Sequence, residues 1–244
     1  MLISILPSLV AAQNQGSFII GPVFGINYTL VVGDGIDSLT QQFEAEDETY
    51  NSIEGISVEG GTYPKFGYNI GVALDYYFLD HFAFSSGLIY SQKGFIIKDK
   101  LEITIGLDYE LSTLKRVNLN YFDFPLLLKY QLNNGIELSA GMLLSFLESD
   151  KVVIESTETY QTNDSISGNI VTIIEHISDR EDYDDVIDDN EANALLTGFQ
   201  VGISYTIKRV DFSFNINRNN RFGVVAGETK NSNIVFQLCT SLNF

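Results

Sequence analysis

Apolar and polar residues alternate along most of this chain. The clearest example is the segment from Phe66 to Leu79, in which every even-numbered residue from Phe66 to Phe78 is aromatic or aliphatic. The residues between them are mostly small or polar and include Asn69 and Asp75. Strict alternation over this length predicts a β-strand with one apolar face and one polar face.

The same alternation recurs at strand length, and each polar face carries charged or amide residues where a soluble barrel would bury Val and Leu. An apolar exterior around a polar interior is expected where the solvent is lipid, so the pattern predicts an all-β, eight-stranded antiparallel up-and-down transmembrane β-barrel. Pro22 in the first strand predicts a bulge or an edge distortion. The predicted strands are Phe18–Val32, Phe66–Leu79, Phe82–Gly94, Val117–Gln131, Ile136–Leu147, Leu196–Ile207, Val210–Asn217 and Ile234–Phe244.

The predicted connections alternate between short and long. Short periplasmic turns and longer extracellular loops are typical of outer-membrane barrels, and this arrangement places both chain ends on the periplasmic side. The short connections are Asp80-His81, Asn133-Asn134-Gly135 and Lys208-Arg209, and the long ones are Gly33–Pro64, Phe95–Arg116, Glu148–Ala194 and Arg218–Asn231.

Two of the long connections are expected to contain hairpins that extend beyond the barrel. The segment Phe95–Arg116 turns either near Lys98–Lys100 or near Gly106–Asp108. In the other connection, Val152–Tyr160 pairs with Asn169–Ile177 around a tip at 163–168. Aromatic residues near the strand ends predict interfacial girdles. These residues are Tyr76, Tyr77, Phe78, Phe82, Tyr130, Tyr205 and Phe244 on the turn side, and Tyr28, Tyr68, Tyr90, Phe122 and Phe146 on the loop side.

Length and composition agree with one domain. A chain of 244 residues suits a single barrel, and no stretch approaches the 18 or so apolar residues that a spanning helix needs. Residues Met1–Ala12 are mostly apolar and end in Val-Ala-Ala, which resembles the end of a secretory signal peptide whose basic n-region would lie upstream of Met1. We therefore expect residues 13–244 to form the mature barrel domain.

The net charge of −18 argues against a nucleic-acid partner, because phosphate binding requires Lys and Arg. Two predicted loops hold most of the acid: Gly33–Pro64 has eight acidic residues, and Ser149–Asn193 has thirteen. A solvated, self-repelling loop is the first interpretation, and weak Ca²⁺ binding is the alternative. The candidates for weak cation binding are Asp182, Asp184, Asp185, Asp188, Asp189 and Glu191.

With the strands placed, Asn120-Tyr121-Phe122-Asp123-Phe124-Pro125-Leu126-Leu127-Leu128-Lys129-Tyr130 resembles a recurring strand of the PorT-like outer-membrane β-barrel family. Gly21–Asn27, Gly87–Ser91 with Lys93-Gly94, and the terminal Phe244 are similar to the same family. The resemblance implies a barrel in a Gram-negative outer membrane. It supplies no catalytic residues, and a strand motif by itself does not transfer the named member's link to protein secretion.

The interior of an eight-stranded barrel is just wide enough for side chains to fill. Charged residues on the predicted inner faces are therefore expected to pair with one another as a stabilising plug, because unpaired buried charges are costly. We expect no metal centre and no cofactor, and we expect the lone Cys239 to be a small buried residue. The predicted lumen network consists of Asp75, Lys93, Asp123, Lys129, Glu137 and Asp211.

Three classes of function fit these features. Catalysis is disfavoured because only His81 and His176 could supply an imidazole, and no nucleophile elbow, metal-ligand pair or phosphate loop is present. A structural, docking or accessory role in an envelope complex is favoured, since long loops on a rigid scaffold commonly carry function. A narrow channel or a receptor for a small ligand or cation is the alternative, and outer-membrane lipid is the expected surrounding.

Overall fold

A computed structural model describes residues 15–50, 52–104, 108–132, 135–163, 170–182, 195–223 and 230–244. Within these ranges the chain forms one α-helix and nine β-strands. The elements are β1 (Phe18–Gly33), α1 (Asp34–Tyr50), β2 (Ile56–Leu79), β3 (Phe82–Ile103), β4 (Tyr109–Gln131), β5 (Ile136–Asn163), β6 (Ile170–Asp182), β7 (Leu195–Ile207), β8 (Val210–Gly223) and β9 (Lys230–Leu242).

The strand pairings close into a ring. Strand β1 pairs with β2 along one edge and with β9 along the other, and every pairing is antiparallel. The β4–β5 and β5–β7 pairings complete the circuit. Among the described strands the ring contains β1, β2, β3, β4, β5, β7, β8 and β9, and β6 pairs with β5 alone. All eight predicted strand segments are therefore strands of one closed sheet.

The alternation of the sequence becomes two unlike faces of this sheet. On β2, the apolar residues from Phe66 to Tyr76 that face outward are 38% to 70% exposed. The residues between them point inward, where Asn69 is 3% exposed and Asp75 is 6% exposed. The outside of the ring is therefore apolar and the inside is polar, as the sequence predicts.

The connections differ at the two ends of the ring. One end of the ring, here called the turn end, carries the short connections that join β2 to β3, β4 to β5 and β7 to β8. In the connection between β7 and β8, Lys208 adopts a φ of 60°. A positive φ is what a two-residue hairpin turn requires. The opposite end, here called the loop end, carries the long connections.

Two details at the ring test the sequence prediction. Pro22 causes no bulge, because the β1–β2 register is unbroken through the Pro22–Val72 pair. Pairing of β1 with β9 is continuous only from Val23 onward, and beyond Pro22 the Phe244 N–H again donates to Ile20 O. The second ladder is therefore interrupted at Pro22, which agrees with the predicted edge distortion. The predicted long connection Arg218–Asn231 is wrong, because β8 continues to Gly223 and β9 begins at Lys230.

Four strands, β2 to β5, continue beyond the ring at the loop end, and together with β6 they form the extension sheet. The chain reverses between Ile103 and Tyr109, which pair directly, so the alternative turn at Lys98–Lys100 is wrong. The hairpin predicted in the connection Glu148–Ala194 is confirmed, and Thr157 lies opposite His176. Its predicted tip lies outside the described residues. The extension sheet consists of Ile56–Pro64, Phe95–Ile103, Tyr109–Val117, Lys151–Asn163 and Ile170–Asp182.

The segment Gly33–Pro64 is not the continuous loop that its acidity predicts. It contains helix α1 and the first nine residues of β2, which pair with the extended part of β3. The middle of α1 contains good helix formers, namely Gln, Glu and Ala, and an acidic residue near its start, Asp37, complements the helix dipole. Ile36 and Phe43 are seven residues apart and therefore share a helix face. This face packs against the sheet, so α1 has an apolar contact surface although the segment around it is acidic.

Close contact between α1 and the extension sheet depends on Gly60. A Cβ built on Gly60 would lie 2.4 Å from the Phe43 ring, which is too close for the ring to stay where it is. A Cβ on the adjacent Gly61 would have its nearest neighbour, the Tyr63 ring, at an ordinary 3.5 Å. The two adjacent glycines therefore differ in one respect. Only at Gly60 is the absence of a Cβ needed for Phe43 of α1 to pack against the sheet.

We predict that Gly60→Val displaces α1 from the sheet, whereas Gly61→Val leaves it in place. Because α1 contains several glutamates, a Glu-specific protease should cut the Gly60→Val variant within the helix faster than it cuts either the parent or the Gly61→Val control. The ring itself should still resist unfolding in detergent on an unheated gel. Equal cutting rates in the two variants would show that Phe43 does not hold the helix on the sheet.

Candidate functional site

The interior of the ring at the turn end holds a cluster around Lys129. The Lys129 ammonium lies 2.6 Å from Asp75 Oδ2 and 3.7 Å from Glu137 Oε2. The hydroxyl of Tyr77, which is 2% exposed, donates a hydrogen bond of 2.9 Å to Glu137 Oε1. These residues come from β2, β4 and β5, so the cluster links β2 to strands that do not pair with it, close to the short turns.

Asp211 belongs to a different contact. Its Oδ2 accepts a hydrogen bond of 2.9 Å from the side-chain amide of Asn243, near the end of the chain. Asp211 is buried, and it lines the same small cavity as Lys129. The six residues predicted to meet in the lumen are therefore all on its wall, but they form separate groups.

A second ion pair occupies the interior nearer the loop end. Lys93 and Asp123 lie 2.8 Å apart with side chains 0% and 2% exposed. Ser145 donates a hydrogen bond to Asp123 and accepts one of 3.2 Å from Asn219. The Lys93 ammonium also lies 4.8 Å from the centre of the Tyr121 ring. Each charge in this pair is thus compensated and hydrogen-bonded, which a fully buried pair requires.

Amide residues form a layer that the sequence prediction missed. Asn27 donates to Ser91 Oγ at 2.9 Å, and Asn69 donates to Asn27 Oδ1 at 2.7 Å. The Asn69 amide also lies 3.5 Å from the sulfur of Cys239. Cys239 is buried, as predicted. The sequence signal for this layer is the inward position of Asn27 and Asn69 on their strands.

The lumen retains one small described cavity, of about 90 Å³, lined by Asn69, Lys129, Asp211 and Cys239 among others. This volume has room for a few water molecules. Several buried groups near the lumen wall, including both side-chain atoms of Asn217 and of Asn233, have no hydrogen-bond donor or acceptor among the described residues. Buried amides of this kind are normally satisfied by ordered water. The interior is thus a filled and polar core.

Apolar residues close the lumen at the loop end. Phe95 and Val117, which are 1% and 2% exposed, lie directly opposite each other on β3 and β4. Ile36 of α1 packs into the same cluster, so the helix contributes to the closure. The sequence prediction missed this feature because it depends on α1. The buried members of the cluster are Ile36, Phe95, Val117, Leu119, Tyr121, Val152 and Leu196.

The remaining candidates are not brought together by the described structure. Asp182 ends β6, and the other five candidates for cation binding lie outside the described residues. In the parts of the chain that the structure covers, no group of three or more His, Cys, Asp or Glu residues is arranged to hold a metal ion. The described portion also has no helix with both the length and the apolar character needed to cross a membrane.

A family model described as outer membrane protein beta-barrel domain matches residues 11–224. The chain belongs to this outer-membrane β-barrel family. The attachment invasion locus protein Ail of Yersinia pestis, crystallised with the heparin analogue sucrose octasulfate, is 11% identical with a TM-score of 0.36, and the match covers 95% of this chain and 100% of Ail.

Two further solved structures are similar at the same level. Neisserial surface protein A is 11% identical with a TM-score of 0.37, and the match covers 95% of this chain and 100% of that chain. The monoaromatic hydrocarbon channel CymD is 12% identical with a TM-score of 0.25, and the match covers 95% of this chain and 70% of that chain. No curated protein matches the chain.

Aromatic side chains form two groups on the outside of this outer-membrane barrel. Near the turn end, Phe18 stacks on Tyr76 at 4.6 Å between ring centres, and Phe82 lies 4.9 Å from Tyr130. Tyr77, predicted for the same girdle, is instead inside the lumen because its odd position on β2 points inward. Near the loop end the contacts run between neighbouring strands and join Tyr68, Tyr90 and Phe122, and also Tyr28, Phe66 and Phe236.

We predict that Lys129→Met lowers the free energy of unfolding by about 3–5 kcal/mol, because it leaves Asp75 and Glu137 without a buried cation. The measurement is the unfolding midpoint in detergent, followed by heat-modifiable gel migration. Lys208→Met makes the same chemical change in an exposed turn and should alter stability by less than about 0.5 kcal/mol. Adding Asp75→Asn to Lys129→Met should recover part of the loss. Equal stability of the two lysine variants would contradict a stabilising role for the cluster.

We also predict that the folded lumen excludes a charged thiol reagent. Cys239 is the single cysteine, and it borders the lumen cavity. A cationic methanethiosulfonate should modify Cys239 about a hundredfold more slowly than a surface thiol, since the reaction requires opening of the barrel. The surface reference is Asp80→Cys in a Cys239→Ser background, because Asp80 is exposed in a short turn. Comparable rates at the two positions would show an open, water-filled lumen.

Proposed function

We propose that this protein is a non-enzymatic docking module of the bacterial outer membrane, in which the barrel anchors the extension sheet and α1 for contact with an envelope protein partner. The observation that carries this proposal is the closure of the lumen. The Lys93–Asp123 pair and the apolar cluster around Phe95 fill the interior at the loop end. A barrel filled in this way serves as a support, so the exposed surface at the loop end is where recognition is expected.

The finer features of the architecture belong to the same proposal. We infer an eight-stranded up-and-down barrel that spans the membrane, with both chain ends in the periplasm and the extension sheet outside the cell. The outward rows of apolar and aromatic side chains support this placement. The acidic connections are then extracellular, and the charge of −18 favours a partner that is basic or bridged by cations.

Membership of a PorT-like group is also part of the proposal. Two segments that carry the resemblance supply Lys93 and Asp123, and these residues meet in the buried ion pair. This contact supports an interpretation of both segments as elements of barrel architecture. A role in secretion or assembly would have to come from the loop end, because a structural ion pair specifies no substrate.

We propose that catalysis does not occur at the loop end. Nδ1 of His176 lies 3.1 Å from Thr157 Oγ1 across an exposed pair of strands. Such solvent access disfavours the preorganised, water-excluded environment that catalytic groups need. A small-ligand receptor is the second candidate function, and it is favoured by a groove in the extension sheet that is described below.

The test is site-specific photo-crosslinking in intact cells combined with conductance in planar bilayers. A photoreactive residue at Thr159 or His176, on the extension sheet, should give a discrete protein adduct identifiable by mass spectrometry. The same residue at Ile203, on the lipid-facing side of β7, serves as the matched control and should react with lipid. We expect no stable single-channel conductance, because the lumen is filled. Steady conductance without an adduct at the extension sheet would favour the channel alternative.

A further inference from the structure

The extension sheet has two unlike faces beyond the barrel. Val58, Leu101 and Leu111 lie side by side on the face that also bears α1. The opposite face carries charged residues: Lys100 pairs with Glu110 at 3.2 Å, Arg116 pairs with Glu155 at 2.5 Å, and the Lys98 ammonium lies 4.7 Å from the centre of the Tyr63 ring. The apolar residues Val58, Leu101 and Leu111 therefore lie on the side of the sheet opposite these charged residues.

Helix α1 covers only part of the apolar face. Phe43 packs on Gly60. Beyond this contact, a groove with a volume of about 320 Å³ lies between α1 and the extension sheet. This volume is at the lower end of the range for small-molecule sites, which are mostly apolar with a few polar groups. The groove is lined by Glu46, Tyr50, Ile56, Val58, Asp99, Leu101, Ile103 and Leu111.

The polar groups of the groove are acidic. Burial and the nearby negative charge of Glu46 raise the pKa of Asp99 above its ordinary value, although Lys115 and the backbone N–H of Lys100 act in the opposite direction. Glu46 accepts a hydrogen bond of 3.1 Å from the uncharged Gln42 amide. Among the described residues, neither Glu46 nor Asp99 forms a salt bridge. The groove thus combines an apolar wall with two carboxylates that lack a direct cationic partner.

We propose that this groove binds a small organic amine, with the ammonium group near Glu46 and Asp99 and an apolar body against Val58, Leu101 and Leu111. Charge complementarity selects a cation over an anion, and the apolar wall selects an organic amine over a hydrated metal ion. Tyr50 at the margin adds an aromatic ring that can contact the cation. The site deepens the receptor candidate of the proposed function, but it does not depend on a protein partner.

The probe is hexylamine, with hexan-1-ol and hexanoate as neutral and anionic controls of the same chain length. The protein contains no Trp, so Tyr50→Trp introduces a single fluorescent reporter at the groove. The full chain is reconstituted in phosphatidylcholine nanodiscs, because detergent micelles would absorb the probe. We expect a saturable change in emission with hexylamine, at least about tenfold weaker binding of hexan-1-ol and no saturation with hexanoate.

Charge variants in the same background identify the site. Glu46→Gln and Asp99→Asn should each weaken hexylamine binding about threefold to fivefold, and the double variant should bind no better than hexan-1-ol binds the parent. Glu59→Gln is the matched control, because Glu59 is adjacent to Val58 but lies on the opposite face, and it should leave the affinity unchanged. Gel migration without heating verifies that each variant is folded.

Two results would overturn the proposal. One is that a folded reporter protein shows no saturable response to hexylamine, and the other is that Glu59→Gln weakens binding as much as Asp99→Asn does. The docking function is tested separately. Crosslinking in cells measures contact with a protein partner, whereas this titration measures hexylamine binding to the purified protein. If the protein forms crosslinks in cells but does not bind hexylamine, the amine site is rejected and the docking function is not.

Discussion

The need to satisfy every backbone hydrogen bond without help from solvent determines this structure. In lipid an open strand edge would leave unpaired N–H and C=O groups, so the sheet has to close on itself. Here the closure is the β1–β9 ladder, which joins the first strand of the chain to the last. Once the ring is closed, side chains alternate between the outer surface and the lumen, and most of the amide and charged residues of the ring strands are directed inward.

The small number of strands then determines what the interior can do. Eight strands enclose a space that side chains fill, and in this protein the filling is layered. A lysine cluster lies beside the short turns, amides and a small cavity follow, and a buried ion pair lies below an apolar cap. The polar layers bind neighbouring strands to each other, while the cap separates the lumen from the loop end. In the proposed docking function, recognition is therefore assigned to the surface outside the ring.

The extension sheet makes that surface larger and more ordered than loops alone would be. Strands β2, β3, β4 and β5 each run from the ring into the extension. The β3–β4 ladder keeps one register throughout, whereas the β2–β3 and β4–β5 ladders each shift register at the boundary. An amphipathic sheet outside the barrel has to cover its apolar face, and α1 covers part of it through Phe43 and Ile36. The uncovered remainder, between the helix and the strands, is the acidic groove.

Alternation by itself determined the strands, their inward and outward faces and the residues that line the lumen, because side-chain parity is a local property of a β-strand. The sequence could not assign the partners: Lys129 meets Asp75 and Glu137 rather than Asp211, and this choice depends on the stagger between strands around the closed ring. Helix α1 was also missed, although Ile36, Leu39 and Phe43 have the spacing of one helix face, because the acidity of the segment favoured a loop. The role of Ile36 and Phe43 follows from Gly60 and Phe95, which are distant in sequence and approach the helix only after the sheet has formed.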